Sequence, residues 1–303
     1  MKVGRLEIAD EKLAMGVASL GQLRERYAQR ETVGERFNVP REEGKEAVPV
    51  IIHRPSGIND SECGTLPVFF NMHGGAWLAG DAVLMESFCE LLAESIPAVV
   101  VNVNYHKADV IPISEMSAEV CDCVRYFREH AGEYGMDPEN MAVGGHSAGA
   151  NIAAGTVIRL RECGISLKMQ ILVYPCVDLR HVANCDWMNG AIASLVPEGN
   201  LDEIHMSPMA ASDDVIRGLC PAGIVACGID DLKPHAVAYA KRLIDNGVNV
   251  CFREYPKAEH GFLETNRPDY EPQEDGRINP EQGAFARNCE QWIIRVLRAA
   301  FAE

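Results

Sequence analysis

Five residues, Gly145-His146-Ser147-Ala148-Gly149, limit what this chain can fold into more than any others. They join a short apolar run, Met141 to Gly144, to an alanine-rich segment without proline, Ala148 to Leu160. A serine hydroxyl acts as a nucleophile when it is presented at the tip of a sharp strand-to-helix turn, and so tight a turn needs small residues two before and two after the serine. Gly145 and Gly149 meet that need, and the segment from Ala148 reads as a helix whose first amides and dipole face any anion formed at Ser147. A pentapeptide of this kind is a hypothesis until its strand-turn-helix context and its partners are found.

The context is an alternation of apolar runs and helical segments. Val48 to His53, Val68 to Met72, Ala98 to Val103, Met141 to Gly144, Met169 to Tyr174, Gly223 to Cys227 and Val250 to Tyr255 read as strands. Such continuous runs fit strands covered on both faces, as in a parallel sheet. Helical segments separate them at Asp81 to Ser95, Met116 to Ala131, Ala148 to Cys163 and Pro234 to Asn246, and a last one spans Gln282 to Ala300. This predicts an α/β fold with a mostly parallel central sheet and helices on both faces. A chain of 303 residues fits one such domain, 1–303.

Two segments stand outside the alternation. Residues 1–45 are charged and mostly helical in pattern, with Leu13, Val17, Leu20 and Tyr27 as a loose apolar stripe, and read as an appendage packed on the core. Residues 178–214 are far longer than the usual connection between sheet strands. With Trp187, Met188, Ile192, Leu195 and Met206 they carry apolar bulk without strand or helix period, as a lid over an apolar site would.

Composition bounds the partners. The formal charge of −16 argues against a surface that binds nucleic acid or anionic lipid, which needs clustered Lys and Arg. No stretch approaches the roughly 18 consecutive apolar residues of a membrane span. The first residues lack the apolar core of a signal peptide, so the expectation is a cytoplasmic protein with no membrane insertion. Oligomeric state is open, a homodimer included. The eleven cysteines do not form the pattern of a disulfide framework; Cys89, Cys176, Cys227 and Cys251 sit in apolar runs where a thiol packs as a small hydrophobe. Cys121 and Cys123, one residue apart with no second pair, make a poor zinc signature, and no metal site is expected.

A serine nucleophile needs a base, and the base needs a carboxylate to hold its tautomer. His260 follows the last predicted strand, on a loop at the strand ends where Ser147 also emerges. Asp230 follows the preceding strand, with Asp231 as its competitor, and the chain order Ser147, Asp230, His260 is the order of an α/β-hydrolase. Backbone donors for an oxyanion must come from a glycine-rich turn near the nucleophile. His73-Gly74-Gly75-Ala76-Trp77 supplies that turn directly after a strand, so the amides of Gly75, Ala76 and Ala148 are the expected donors.

With these residues assembled, the chain resembles the hormone-sensitive-lipase-like branch of the α/β-hydrolase esterases. The resemblance runs from about Pro67 to Phe262, through HGGAW at 73–77, Tyr105, GHSAGAN at 145–151, Tyr174-Pro175 and HGF at 260–262. It implies that the acid is the first aspartate of the Asp230-Asp231-Leu232-Lys233-Pro234 segment, which favours Asp230. It implies cap elements at about 1–45 and 178–214, and an esterase acting on a small-molecule ester without metal or organic cofactor. An arylformamidase-type amidohydrolase shares the turn and triad, and some receptors share the fold but lose the histidine that is present here as His260. Three positions depart from the family pattern: Ala76 replaces the third glycine of the turn, His146 stands where an acidic residue is usual, and Pro234 replaces the second aspartate of the acid loop.

Overall fold

Runs rich in Val and Ile become the inner strands of one eight-stranded sheet, because only a position covered on both faces lets every side chain of such a run leave water. The computed structural model describes residues 2–8, 11–57, 65–182, 185–197, 199–270 and 279–302. A small hairpin, β1 (Lys2–Val3) and β2 (Leu6–Glu7), opens the chain and is followed by helix α1 (Glu11–Ala28). Strands β3 (Glu35–Val39), β4 (Val48–His53) and β5 (Leu66–Met72) precede helix α2 (Glu86–Ser95) and strand β6 (Val99–Val103). Helix α3 (Ile113–Glu129), strand β7 (Met136–His146), helix α4 (Ala148–Glu162) and strand β8 (Met169–Val173) follow. The insertion carries α5 (Asp186–Leu195) and α6 (Asp213–Ile216). Strand β9 (Ala222–Ile229), helix α7 (Lys233–Asp245), strand β10 (Val250–Glu259), α8 (Phe262–Thr265) and α9 (Pro280–Ala302) complete the chain.

The sheet order is β10-β9-β8-β7-β5-β6-β4-β3, with β5 to β10 mutually parallel and β4 antiparallel to both β6 and β3. From β5 the chain first builds outward to β6 and then returns to the other side of β5 with β7. The C-terminal ends of β5 and β7 therefore flank the point where strand order reverses, the ordinary place for a ligand crevice in an open α/β sheet. Alternation across the pleat divides the core. Val68, Phe70 and Met72 of β5 join the cluster that includes Val120 and Phe127 of α3 and Ile152 of α4, whereas Phe69 joins the cluster of Phe88 and Leu92 of α2 with Ile293 and Leu297 of α9.

The flanking segments differ from their sequence reading. Among the described residues of 1–45 only α1 is helical; Glu35–Val39 is an edge strand paired residue by residue with β4. Its charged sequence conceals it, because an edge strand buries little, here Val39 and part of Phe37. Residues 178–214 are not aperiodic: Asp186–Leu195 is helical, and Ile192 and Leu195 are buried. Leu6 and Ile8 share one apolar cluster with Ile192 and Leu195, so the two flanking segments pack together. The side chains of Leu13 and Trp187 lie outside the described residues. Cys89, Cys176 and Cys227 are buried as expected, but Cys251 is exposed, since β10 is the other edge of the sheet and one of its faces meets water.

Candidate active site

Register brings the three expected side chains together. Met72 of β5 pairs with Gly145 of β7, so the turn that begins at His73 and the elbow at Ser147 leave adjacent parallel strands side by side. Ile229 of β9 pairs with Glu259 of β10, so Asp230 and His260 are the next residues of two neighbouring strands. His260 Nε2 lies 2.8 Å from Ser147 Oγ, and His260 Nδ1 lies 2.8 Å from Asp230 Oδ2. The Asp230 side chain is only 4% exposed, and its Oδ1 accepts from the Leu232 amide at 2.9 Å, which fixes the carboxylate. Asp231 is exposed and makes no such contact with His260. The carboxylate thus orients one nitrogen of His260 while the other faces the serine, an arrangement suited to general-base activation of a hydroxyl.

The elbow holds a costly backbone. Ser147 has φ 54° and ψ −115°, a conformation that non-glycine residues seldom adopt. It persists because its amide donates to Val173 O at 2.9 Å and its carbonyl accepts from the Asn151 amide at 3.1 Å. A Cβ on Gly149 would lie 2.2 Å from Met72 O and 2.4 Å from His73 O, and one on Gly145 would lie 2.4 Å from the Gly149 carbonyl carbon. Both glycines are therefore required by the close approach of α4 to the end of β5.

In the turn after β5 the backbone groups divide cleanly. The Gly74 amide donates to Glu264 Oε1 at 2.8 Å, Gly74 O lies 2.6 Å from His73 Nδ1, and Gly75 O accepts from the amides of Leu78 and Ala79 at 3.1 and 2.8 Å. Among the described residues nothing accepts from the amides of Gly75, Ala76 or Ala148. In a trans peptide the carbonyl and the following N–H point in opposite directions. Anchoring Gly74 O to His73 thus aims the Gly75 N–H the other way. Ala76 and Trp77 have φ of 49° and 61°, and Trp77 Nε1 donates to Asn151 Oδ1 at 3.1 Å, which pins this strained turn to α4.

Ser147, His260, Asp230 and the turn line a cavity of about 770 Å³. Its apolar wall includes Leu20, Leu23 and Tyr27 of α1, Leu84 and Met85, and Met188 of α5. The N-terminal helix is therefore part of the wall and not only an appendage. Of the insertion's apolar residues Met188 reaches the cavity, while Ile192, Leu195 and Met206 are buried in the core.

Glu264 escaped the sequence reading. It is buried, accepts from the Gly74 amide and from the Tyr174 hydroxyl at 3.1 Å, and burial raises its pKa. The only signal was an acidic residue four positions after His260 in an otherwise apolar stretch. His146 is buried and points away from the cavity, its ring edge-on to Phe88 and its Nε2 3.2 Å from Asn71 Oδ1. Burial, aided by the charge of Arg267, lowers its pKa to about 3, so it is neutral and no rival to His260.

Burial lowers the pKa of His260, but the hydrogen bond and charge of Asp230, with the charge of Glu264, outweigh it and the net shift is upward. A base must be unprotonated, so activity is lost as pH falls through that raised value. The acidic limb of kcat/KM against pH is expected above the ordinary histidine value of about 6.5. An acidic limb at or below that value would contradict the stabilisation of the imidazolium by Asp230.

A strand-ordered sheet with a nucleophile elbow at its switch point and the acid and base on the two following strand ends defines an α/β-hydrolase. Residues 69–264 match the α/β-hydrolase-fold family, and the chain belongs to its hormone-sensitive-lipase and carboxylesterase type. It is 30% identical over 252 residues to the AB hydrolase superfamily protein C1039.03 of Schizosaccharomyces pombe, covering 76% of this chain and 73% of that one. It is 29% identical over 236 residues to the carboxylesterase NlhH of Mycobacterium tuberculosis, covering 73% of each chain. Among solved structures, a bacterial heroin esterase superposes with a TM-score of 0.76 at 25% identity, covering 96% of this chain and 98% of that one.

Proposed function

We propose that the protein is a serine carboxylesterase that hydrolyses small carboxylic esters through an acyl-enzyme on Ser147. The observation that carries this reading is the unbroken chain of hydrogen bonds from Ser147 Oγ through His260 to Asp230. Ser147 Oγ attacks the ester carbonyl as its proton passes to His260 Nε2, and Asp230 holds the Nδ1 proton and stabilises the imidazolium. The free amides of Gly75, Ala76 and Ala148 receive the oxyanion. Collapse expels the alcohol, which takes the proton from His260. Water then attacks the acyl group with His260 again as base, releasing the acid and restoring Ser147. Residues 1–45 and 178–214 act as the cap over this site, and the similarity to a carboxylesterase supports an ester as the bond cleaved. Parallel assays with an aryl acetate and an N-formyl aryl amide test the reading: the ester is expected to be cleaved much faster, and preferential cleavage of the formamide would replace it with an amidohydrolase.

Short acyl chains are the preferred substrates in this reading, because Ala76 is exposed and lines the cavity at a position where the family pattern has a bare glycine. Ala76→Gly keeps the amide and relieves a left-handed alanine. It is expected to change acetyl-ester turnover by only a few-fold and to raise relative kcat/KM on longer acyl esters, a steric term of about 1–3 kcal/mol per methylene-sized mismatch. A uniform fall across acetyl, butyryl and octanoyl esters would contradict the steric argument.

A further inference from the structure

Behind the turn that presents the Gly75 amide, at the start of the loop joining β6 to α3, lies a buried cation, Lys107, only 3% exposed. Its ammonium has three protons and three acceptors: His73 Nε2 at 3.1 Å, Asn104 Oδ1 at 3.1 Å and the carbonyl oxygen of Tyr105. The Tyr105 ring stacks on His73 with centroids 4.5 Å apart, its hydroxyl donates to His73 O at 2.9 Å, and the Lys107 ammonium lies 4.3 Å from the Tyr105 ring centroid. Asn104 is held in turn by Asp81 Oδ2, to which its amide donates at 2.8 Å. This assembly is built around one imidazole.

We infer that Lys107 is a positioning residue for the oxyanion turn: its ammonium fixes the tautomer of His73, and His73 in turn fixes the Gly74–Gly75 peptide. An ammonium can only donate, so Nε2 of a neutral His73 must be the acceptor and the ring proton must sit on Nδ1. That proton is donated to Gly74 O, and the opposite end of the same peptide is the Gly75 N–H. An uncharged amine has two protons for three acceptors and a lone pair that can accept from Nε2–H. His73 is then free to take the other tautomer, whose Nδ1 lone pair would face Gly74 O and release the peptide. The inference rests on the serine-esterase reading and adds to it a cation that works through two other residues.

Asp81 before the helical turn that follows β5, Glu119 of α3 and Asp109 in its own loop favour the ammonium, whereas Arg24 of α1 opposes it; burial opposes it most and the net result is a pKa lowered to about 8. His73 itself is held neutral, its pKa pushed well down by burial and by Lys107. The ammonium is present below about 8 and lost above, so the turn loosens as pH rises through that value.

The test compares wild type with Lys107→Met, which keeps an unbranched side chain one atom shorter and removes every donor. With aryl acetate the variant is expected to lose about 10- to 100-fold in kcat, less than removal of an oxyanion donor itself, with KM little changed. Affinity for a trifluoromethyl ketone, which forms the oxyanion covalently on Ser147, should fall in parallel with kcat. Wild-type kcat/KM should decline on the alkaline side and the variant should lose that limb. Wild-type kcat in the variant, an unaltered alkaline limb, or a loss carried wholly by KM would each overturn the inference. Nitrogen NMR of the His73 ring in wild type needs neither the variant nor turnover: the expected spectrum has the proton on Nδ1 at neutral pH and mixed tautomers above the Lys107 titration. A proton on Nε2 at neutral pH would overturn the inference while leaving the Ser147 mechanism intact; loss of the Ser147 mechanism would instead appear as activity surviving in Ser147→Ala.

Discussion

Ser147→Ala is expected to abolish aryl acetate hydrolysis, by about a million-fold in kcat, because loss of a triad nucleophile typically leaves only the effect of the oxyanion donors and binding. The fold should survive. The serine side chain donates no hydrogen bond that holds the elbow; the backbone contacts of Ser147 with Val173 and Asn151 and the close fit of Gly145 and Gly149 are independent of its hydroxyl. Alanine inherits the positive φ that serine already adopts, so the strain is common to both and stability is expected to change little, with an unchanged circular dichroism spectrum. Labelling by an organophosphonate should disappear in the variant. Hydrolysis at a substantial fraction of the wild-type rate would place the nucleophile elsewhere.

Asp230→Asn is expected to lower kcat by about ten-thousand-fold, and Asp231→Asn to change it little. The amide that replaces the Asp230 carboxylate can donate toward Nδ1, which favours the tautomer with its proton on Nε2 and leaves no lone pair facing Ser147. Asp231 is exposed and has no hydrogen bond to the histidine, so its charge is screened by solvent. Kinetics of the two single variants, read beside their thermal stability, separate these roles. The reverse ranking would mean that His260 takes its orientation from the neighbouring carboxylate.

The convergence of Ser147, Asp230 and His260 was legible in the sequence because each lies directly after a sheet strand: Ser147 and Asp230 follow the inner strands β7 and β9, which announce themselves as apolar runs, and His260 follows the edge strand β10, whose signal is weaker. Parallel register then does the rest: residues that follow paired strand ends must be neighbours, as Asp230 and His260 are. Sequence spacing alone left Asp230 and Asp231 level, and the hydrogen bond of His260 separates them. What the sequence hid falls into two kinds. The edge strand Glu35–Val39 and the exposed face of β10 carry charged residues and so lack the apolar signature of an inner strand. Glu264 and Lys107 carry charges that look solvated in a linear sequence, and only the tertiary contacts with Gly74, Tyr174, His73 and Asn104 show why burial is tolerated. Likewise the stripe of α1 signalled that the helix packs on something, but not that Leu20, Leu23 and Tyr27 face the catalytic cavity.

The claim on which all of this depends is that Ser147 becomes acylated during turnover. Rapid mixing of wild type with excess aryl acetate, quenching in acid and peptide mass spectrometry tests it directly. The expected result is an acetyl group on the peptide containing Ser147, formed with the burst of released phenol and removed on longer incubation. A burst with the acetyl group on another residue, or steady hydrolysis with the Ser147 peptide unmodified when deacylation is slowed, would contradict the account.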